Sequence, residues 1–316
     1  MYKKAILSLA LILFVTGLKA QEKRTMDHHV YESWKNVDEL CISKNGEFIA
    51  YLVNPQKGDG KLVIYSEGRG YDSIPRIKSI KFSNDSRFLF GKIVPQYDTI
   101  QKMKVDKKKK DDFPKDSLII ISLEDMSNEK YENVRSYEKA KEEGFWIVFH
   151  KEYMKEDNAQ EEEKELEKEE VSEEGKETRK EESEESKSEK PSMKKFQRIK
   201  SKLKLADLII HHPLTGESFT FENVYNYTIS ENGDLISFTQ IPEDTIIRSV
   251  VYAFDTKEQN STIIFENKGL AEKLAANDNG LQSAFLFAAD SGIETGLQLY
   301  QWEYRTASAS LLVDST

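Results

Sequence analysis

Disulfide bracing is not available to this chain. It has one cysteine, Cys41, and its neighbours Leu40 and Ile42 read as strand, where a lone thiol serves as a small buried hydrophobe. Basic excess is lacking as well: the formal net charge is −10 over 316 residues. Nucleic acid binding needs a clustered cationic face that neutralises phosphates, so that class is excluded. Long apolar runs are scarce, and the single one, 5–15, follows Lys3 and Lys4 and precedes Gly17, Leu18, Lys19 and Ala20, with polar Gln21 next. It is too short to span a bilayer comfortably, and Ala20 suits the residue before a cleavage point, so residues 1–20 read as a signal peptide. No cysteine stands at that point to accept a lipid anchor. The expectation is an exported chain, periplasmic or extracellular, free of the membrane once the signal is removed.

Apolar material is ample for one or two domains, and the charge is concentrated. From Lys155 to Lys190, sixteen glutamates and Asp157 stand against eight lysines or arginines, about −9 for that segment. Ala159, Leu166 and Val171 are nearly its only apolar residues, too few to fold against a core. Like charges four apart, Glu161 with Glu165 and Lys164 with Lys168, weaken any helix there. The insert 152–198 is therefore expected to be a disordered or partly helical solvated spacer, with a calcium- or protein-binding acidic tail as the sharper reading.

A repeat runs through the rest of the chain. Ile42-Ser43-Lys44-Asn45-Gly46-Glu47-Phe48-Ile49-Ala50-Tyr51 is echoed by Phe82-Ser83-Asn84-Asp85-Ser86-Arg87-Phe88-Leu89-Phe90 and by Ile229-Ser230-Glu231-Asn232-Gly233-Asp234-Leu235-Ile236-Ser237-Phe238. Weaker copies lie at 141–148 and at 277–287. Asn-Gly at 45/46, 232/233 and 279/280 is a hairpin signal, since both residues tolerate the positive φ of a two-residue turn. Each hairpin precedes a third strand, at 61–65, 117–123, 207–211, 249–255 and 296–304, and fourth strands are expected at 218–221 and 261–265. This predicts an all-β fold, a partial β-propeller of about five four-stranded blades over residues 21–316, interrupted by the acidic insert. Uneven spacing arises from loop insertions, including a lysine-rich loop at 102–110. Five such units leave 311–314 without the closing strand that a ring needs, which implies a truncated or split product, or one piece of a longer polypeptide.

No catalytic residue is assigned. A serine nucleophile on a strand-to-helix turn needs Gly-x-Ser-x-Gly and nearby oxyanion donors, and the nearest miss, Gly216-Glu217-Ser218-Phe219-Thr220, lacks the last glycine and lies between two strands. The adjacent pairs His28-His29 and His211-His212 point to opposite faces of a strand, so neither pair converges on one metal ion, and a ligand role requires one histidine of each pair to meet a carboxylate in space. His150 reads as a strand-end residue after 145–149. Gly58-Asp59-Gly60 and Gly68-Arg69-Gly70 are turns, because no helix follows whose N-terminus would cradle a phosphate. Lysines 107–110 lack the interleaved aromatics of a stacking surface and read as a solvated loop. No cofactor or metal site is expected.

The stretch His28-His29-Val30-Tyr31-Glu32-Ser33-Trp34-Lys35, the first Ser-x-Asn-Gly hairpin, and Tyr51-Leu52-Val53-Asn54-Pro55-Gln56-Lys57-Gly58-Asp59-Gly60-Lys61-Leu62 together resemble the start of exported, Bacteroidetes-type peptidases of the prolyl oligopeptidase family. The similarity is strong over 27–89 and follows the blade pattern afterwards. Members place such a propeller before an α/β-hydrolase domain with a Ser, Asp and His triad, and the propeller restricts entry to peptides. The resemblance implies a non-catalytic front portion of a serine peptidase, with peptide substrates and the missing C-terminal α/β-hydrolase domain as its partners. No triad residue carries over, and the paired glutamates that hold a substrate amine in dipeptidyl peptidase members are not recognisable. A stand-alone exported propeller binding peptides or glycans is the alternative.

Overall fold

The computed structural model describes residues 30, 31, 34–153, 202–244, 246–289 and 296–314. The expected signal peptide, His28, His29 and nearly all of the acidic insert lie outside them. The first unit is β1 (Lys35–Ile42), β2 (Phe48–Pro55), β3 (Lys61–Ser66) and β4 (Gly70–Pro75). The second is β5 (Ile77–Phe82), β6 (Phe88–Ile93), β7 (Ser117–Ser122) and β8 (Asn128–Tyr131). The third comprises β9 (Val134–Lys139), β10 (Ile147–Lys151), β11 (Ala206–His211) and the start of β12 (Ser218–Ile229). The fourth takes the rest of β12 with β13 (Leu235–Gln240), β14 (Arg248–Asp255) and β15 (Asn260–Lys268). The fifth is β16 (Leu270–Ala276), β17 (Gln282–Ala288), β18 (Leu297–Glu303) and β19 (Ser310–Asp314). Consecutive strands pair antiparallel within each sheet, and successive sheets pack on one another as the blades of a partial propeller.

Several expectations need correction. The third and fourth units form one seven-stranded sheet, because β12 is a single strand of 12 residues whose first half pairs with β11 and whose second half pairs with β13. No glycine or proline breaks it between Phe221 and Ile229, so it bends instead, with Asn223 at φ 55°. Residues 311–314, left over in the repeat, complete the fifth unit as β19. The lysine-rich loop begins as a helix, α1 (Tyr97–Val105), whose first backbone N–H donates to Asp59 Oδ1 at 2.8 Å, a favourable place for a carboxylate. The strand expected from Phe145 starts at Ile147, since the longer turn around Gly144 leaves Phe145 exposed.

Alternation along single strands builds four core layers. In β7, Ile119 and Ile121 pack with Leu52, Leu62 and Ile64 of the first unit. Leu118 and Ile120, on the other side of the same strand, pack with Ile147 and Phe149 of the third. Trp146, Val148 and Leu208 meet Ile236, Phe238 and Phe254 in the next layer, and Leu235 and Val251 meet Phe285, Phe287 and Trp302 in the last. Inner sheets thus bury both faces, which is why their strands read as continuous apolar runs. The end sheets do not. Val37, Leu40, Ile42 and Tyr71 of the first unit, and Leu297 and Val313 of the fifth, are exposed.

The hairpins are not the two-residue turns expected. In the first, Gly46 N–H donates to Ser43 O at 2.9 Å, and Ser43 N–H to Phe48 O at 2.9 Å, enclosing four residues. Only Gly46 has positive φ, 77°. Asn45 acts through its side chain: Ser43 Oγ donates to Asn45 Oδ1 at 2.7 Å, Glu47 N–H donates to the same oxygen at 3.1 Å, and Phe48 N–H donates to Ser43 Oγ at 2.9 Å. Ser83 with Asp85, and Ser230 with Asn232, repeat the network. The recurring spacing encodes a side-chain cap for the turn.

At the opposite end of the sheets the joins between separate sheets are short: Arg76 between β4 and β5, Glu132 and Asn133 between β8 and β9, and Gly269 between β15 and β16. Arg76 and Asn133 adopt φ of 62° and 61°, and Gly269 adopts 135°. The carbonyls of Arg76, Asn133 and Asn223 accept from the N–H of Val94, Glu152 and Ile241, the residues just beyond each second strand, at 2.7–2.9 Å. A Cβ on Gly269 would stand 2.1 Å from Ala288 O and 2.8 Å from the Phe287 ring, whereas one on Gly46 would meet nothing within 4 Å. Gly46→Ala is therefore expected to cost about 1 kcal/mol, from left-handed strain alone. Gly269→Ala is expected to cost roughly 3 kcal/mol or more, from strain plus overlap in a packed layer. Urea denaturation of both variants checks this, and equal losses would contradict it.

A second expectation concerns the buried seam within the seven-stranded sheet. Arg135 Nη2 donates to His150 Nδ1 at 2.8 Å, and the Tyr227 ring stands edge-on to the imidazole with centroids 4.6 Å apart. Burial, reinforced by the Arg135 charge, pushes the His150 pKa down to about 3. A depressed histidine is neutral in the folded chain and takes up a proton only on unfolding, so its contribution is intact above the unfolded value near 6.5. It falls by about 1.4 kcal/mol per pH unit below that value until the folded pKa is reached. His150→Gln should lose less stability than the parent chain between pH 7.5 and pH 5, by roughly 1–2 kcal/mol in urea melts; parallel acid limbs would refute the assignment.

Candidate functional site

Strand directions give the molecule two distinct ends. Turns between first and second strands gather at one end and are linked in chain order. Asn45 N–H donates to Ser86 Oγ at 3.1 Å, and Asn84 Nδ2 donates to Ala140 O at 3.1 Å and to Glu143 O at 2.6 Å. Glu142 N–H donates to Glu231 O at 3.0 Å, Lys141 pairs with Glu231, and Asn232 N–H donates to Asp278 O at 3.0 Å. A Cβ on Gly233 would lie 2.8 Å from that of Ala140, so the third and fourth turns touch at backbone distance. This end has little room for extra residues.

The other end carries the connections between second and third strands, and there the extra length accumulates: 94–116 between β6 and β7, and 152–205 between β10 and β11. Lys115 pairs with Glu152 at 3.1 Å, joining these two connections. Lys92 pairs with Asp116 at 2.7 Å and donates to Arg135 O at 2.9 Å. Tyr153 OH donates to Asp207 Oδ1 at 2.7 Å and accepts from Asn223 N–H at 2.9 Å, and burial pushes its pKa up. Between these anchors lies a cleft of about 580 Å³ whose walls include Phe113, Pro114, Lys115, Lys130, Glu132 and Tyr153. Aromatic and proline surfaces beside charges of both signs suit an extended peptide more than an ion. A second cleft of about 510 Å³, at the turn end between the fourth and fifth units, is lined by Asp234, Asp255, Lys257, Trp302 and Tyr304. There Lys257 pairs with Asp234 at 2.7 Å and Tyr304 OH donates to Asp255 Oδ2 at 2.9 Å.

The residues singled out by sequence are placed apart. Ser218 opens β12, is exposed, and pairs across the ladder with His211. His211 Nε2 lies 3.4 Å from Tyr131 OH and 3.8 Å from Glu129, while His212 stands edge-on to Trp146 and its Nδ1 accepts from Thr215 N–H at 3.2 Å. The two imidazoles therefore address different neighbours, as adjacent residues at a strand end should. Burial, chiefly, holds the His211 pKa down. His150 sits inside β10 on Arg135, and no cluster of three or more metal-ligating side chains occurs among the described residues. Cys41 is half-buried in β1, its thiol pushed up to about 11 by burial and by Glu39. Among the described residues no helix is long and apolar enough to cross a membrane.

Sequence reasoning missed a group of polar residues on the innermost strands. Glu39 Oε2 accepts from Ile80 N–H at 2.9 Å, and Tyr137 OH donates to Ser79 O, so the first three units are stitched across their inner edges. Glu39 and Ser79 have φ of 50° and 53° at bulges in β1 and β5. Both stand four residues before the serine that opens the following turn, a repeat position that a glycine-based search for left-handed residues passes over. Lysines 44, 81 and 139 also escaped notice. Lys81 and Lys139 hold successive register places on their strands, opposite Phe90 and Ile147, so aligning the repeats does not pair them and only the assembled sheets bring them together.

No family model matches the chain, and no curated protein matches it. Solved structures do resemble it. An acylaminoacyl peptidase in complex with Z-Gly-Gly-Phe-chloromethyl ketone aligns at 12% identity and TM-score 0.41, over 92% of this chain and 41% of that one. The β-propeller domain of the trilobed protease from Pyrococcus furiosus aligns at 12% identity and TM-score 0.41, over 87% of this chain and 71% of that one. The tricorn protease aligns at 10% identity and TM-score 0.41, over 89% of this chain and 23% of that one. The chain spans about two fifths of the length of the acylaminoacyl peptidases it resembles.

Proposed function

We propose that this chain is the propeller portion of an exported serine peptidase resembling the prolyl oligopeptidase family, and that it limits entry of peptides to an α/β-hydrolase domain outside the chain. The observation that carries the reading is the pair of uncovered apolar faces on the first and fifth sheets. Val37, Leu40 and Ile42 are each more than 60% exposed, although inner sheets bury such residues between neighbours. Contiguous exposed apolar surface of this kind marks an interface. The cleft at the connection end, with Phe113, Pro114 and Tyr153 in its walls, is where a peptide would meet the scaffold. The peptidase assignment itself comes from the resemblance over 27–89.

Two measurements test this. The chain from residue 21 onward should show no labelling by a fluorophosphonate probe, whereas the product of the uninterrupted reading frame should be labelled on a serine beyond Thr316 and should cleave short peptides but not folded proteins. Labelling of the isolated chain that disappears in Ser218→Ala would overturn the reading. So would a continuous frame encoding no Gly-x-Ser-x-Gly.

A further inference from the structure

At the turn end, three lysines of successive units approach one segment, and among the described residues none of them is held in an ion pair. Lys81, exposed at the end of β5, places Nζ 5.4 Å from the Tyr137 ring centroid. Lys139, the last residue of β9, donates to Asn84 Oδ1 at 2.7 Å and to Ala140 O at 2.9 Å. Lys44, in the first turn, donates to Glu142 O at 3.4 Å. Ammonium groups from three successive units thus converge on residues 137–142. Among the described residues no ion pair reaches Lys139. Glu138 lies near Lys81; burial pushes its carboxyl pKa up, and the Lys81 charge draws it down by a smaller amount. The Lys139 ammonium is held down to about 8, first by burial and then by Lys81 and Lys44.

The repeat supplies an internal control on whether the fold needs these charges. In ladder register Lys139, opposite Ile147, stands where Ile42, Phe82, Ile229 and Ala276 stand in the other units, opposite Ile49, Leu89, Ile236 and Ser283. Apolar side chains fill that place in the other four units, so strand and turn form without a cation there. Half-burying an ammonium beside two others is unfavourable, and the third unit nevertheless does so at Lys139.

We propose that Lys44, Lys81 and Lys139 form a binding site for an oxyanion, a carboxylate or phosphate group carried by a ligand. Lys139 directs two of its three N–H donors to neutral acceptors, leaving one for the anion. Lys44 and Lys81 are exposed and can close on it. Occupation replaces repulsion by charge-assisted hydrogen bonds.

The full chain is titrated with sodium phosphate, sodium acetate and sodium chloride at matched ionic strength, with Tm read by calorimetry. The expected result is a saturable rise in Tm with phosphate, acetate or both that chloride does not reproduce, as for a ligand binding only the folded state. The rise should vanish in Lys139→Met and fall at least by half in Lys81→Met. Lys102→Met, on α1 at the opposite end, should behave as the parent chain. Phosphate should also bind with net proton uptake at pH 8, detected as a buffer-dependent binding enthalpy and lost in Lys139→Met. If Lys139→Met does not fold, Lys81→Met decides the matter. Equal response to all three salts, or a rise that survives in the lysine variants, means general ion effects only and overturns the site.

Discussion

A four-stranded sheet that is apolar on both faces cannot stand alone in water, and this constraint organises the molecule. The two faces of β7 show it: Ile119 and Ile121 serve one interface, Leu118 and Ile120 the other. Because strand side chains alternate, every inner sheet belongs to two core layers at once. Stability therefore builds up between neighbours, as in repeat proteins, where each unit depends on those beside it. The fused β12 shortens one step of this series without changing it, since Leu208 and Phe238 still meet across the layer that joins the third and fourth units.

The two ends of the sheets obey different rules, and the difference explains the uneven spacing of the repeat. Turns at one end touch through backbone and short side chains, with Gly233 against Ala140 and Gly144. Added residues there would push neighbouring units apart. At the other end the carbonyls of Arg76, Asn133 and Asn223 accept a hydrogen bond from the first residue beyond a second strand, so in those units the chain's departure from the sheet is fixed before any insertion begins. Past that bond the connection can lengthen at small entropic cost. Connections of very different length, such as 56–60 and 94–116, therefore coexist on sheets of nearly equal size.

The strands and the five-unit count are legible in sequence because the signals are local: apolar alternation, and a serine whose hydroxyl caps its own turn. Linker geometry is not legible, since Arg76 adopts φ 62° with nothing in its identity to announce it. Its conformation is imposed by the bonds from Arg76 N–H to Gly60 O and from Val94 N–H to Arg76 O, partners distant in sequence. The continuity of β12 is hidden for a related reason, because Asn223 reads as a loop residue until Tyr153 and Ile241 satisfy its backbone. Helix α1 escaped a reading tuned to period two. The inner-strand polar residues escaped because each looks like an ordinary surface residue until three units are placed side by side.

Three buried tyrosines and one histidine at the seams share a pattern of perturbed protonation that Lys139 does not follow. Tyr137, Tyr153 and Tyr227 all have pKa values raised mainly by burial, and each hydroxyl bonds across from one strand or unit to another: Tyr137 to Ser79, Tyr153 to Asp207, Tyr227 to Ser136. His150 belongs with them, kept neutral beside Arg135. At Tyr137, Tyr153 and His150 the neutral form makes the bond, so the shift and the hydrogen bond favour the same state, whereas at Tyr227 burial outweighs the opposite effect of the Ser136 hydroxyl. Lys139 is different. Its bonds to Asn84 Oδ1 and Ala140 O are best made by the charged form, while burial, Lys81 and Lys44 favour the neutral one. A structural amine would be expected to have this conflict removed by a carboxylate, as Asp116 does for Lys92. Here the conflict persists where a neutral residue suffices in all four sister units, and an anion from outside the chain would resolve it.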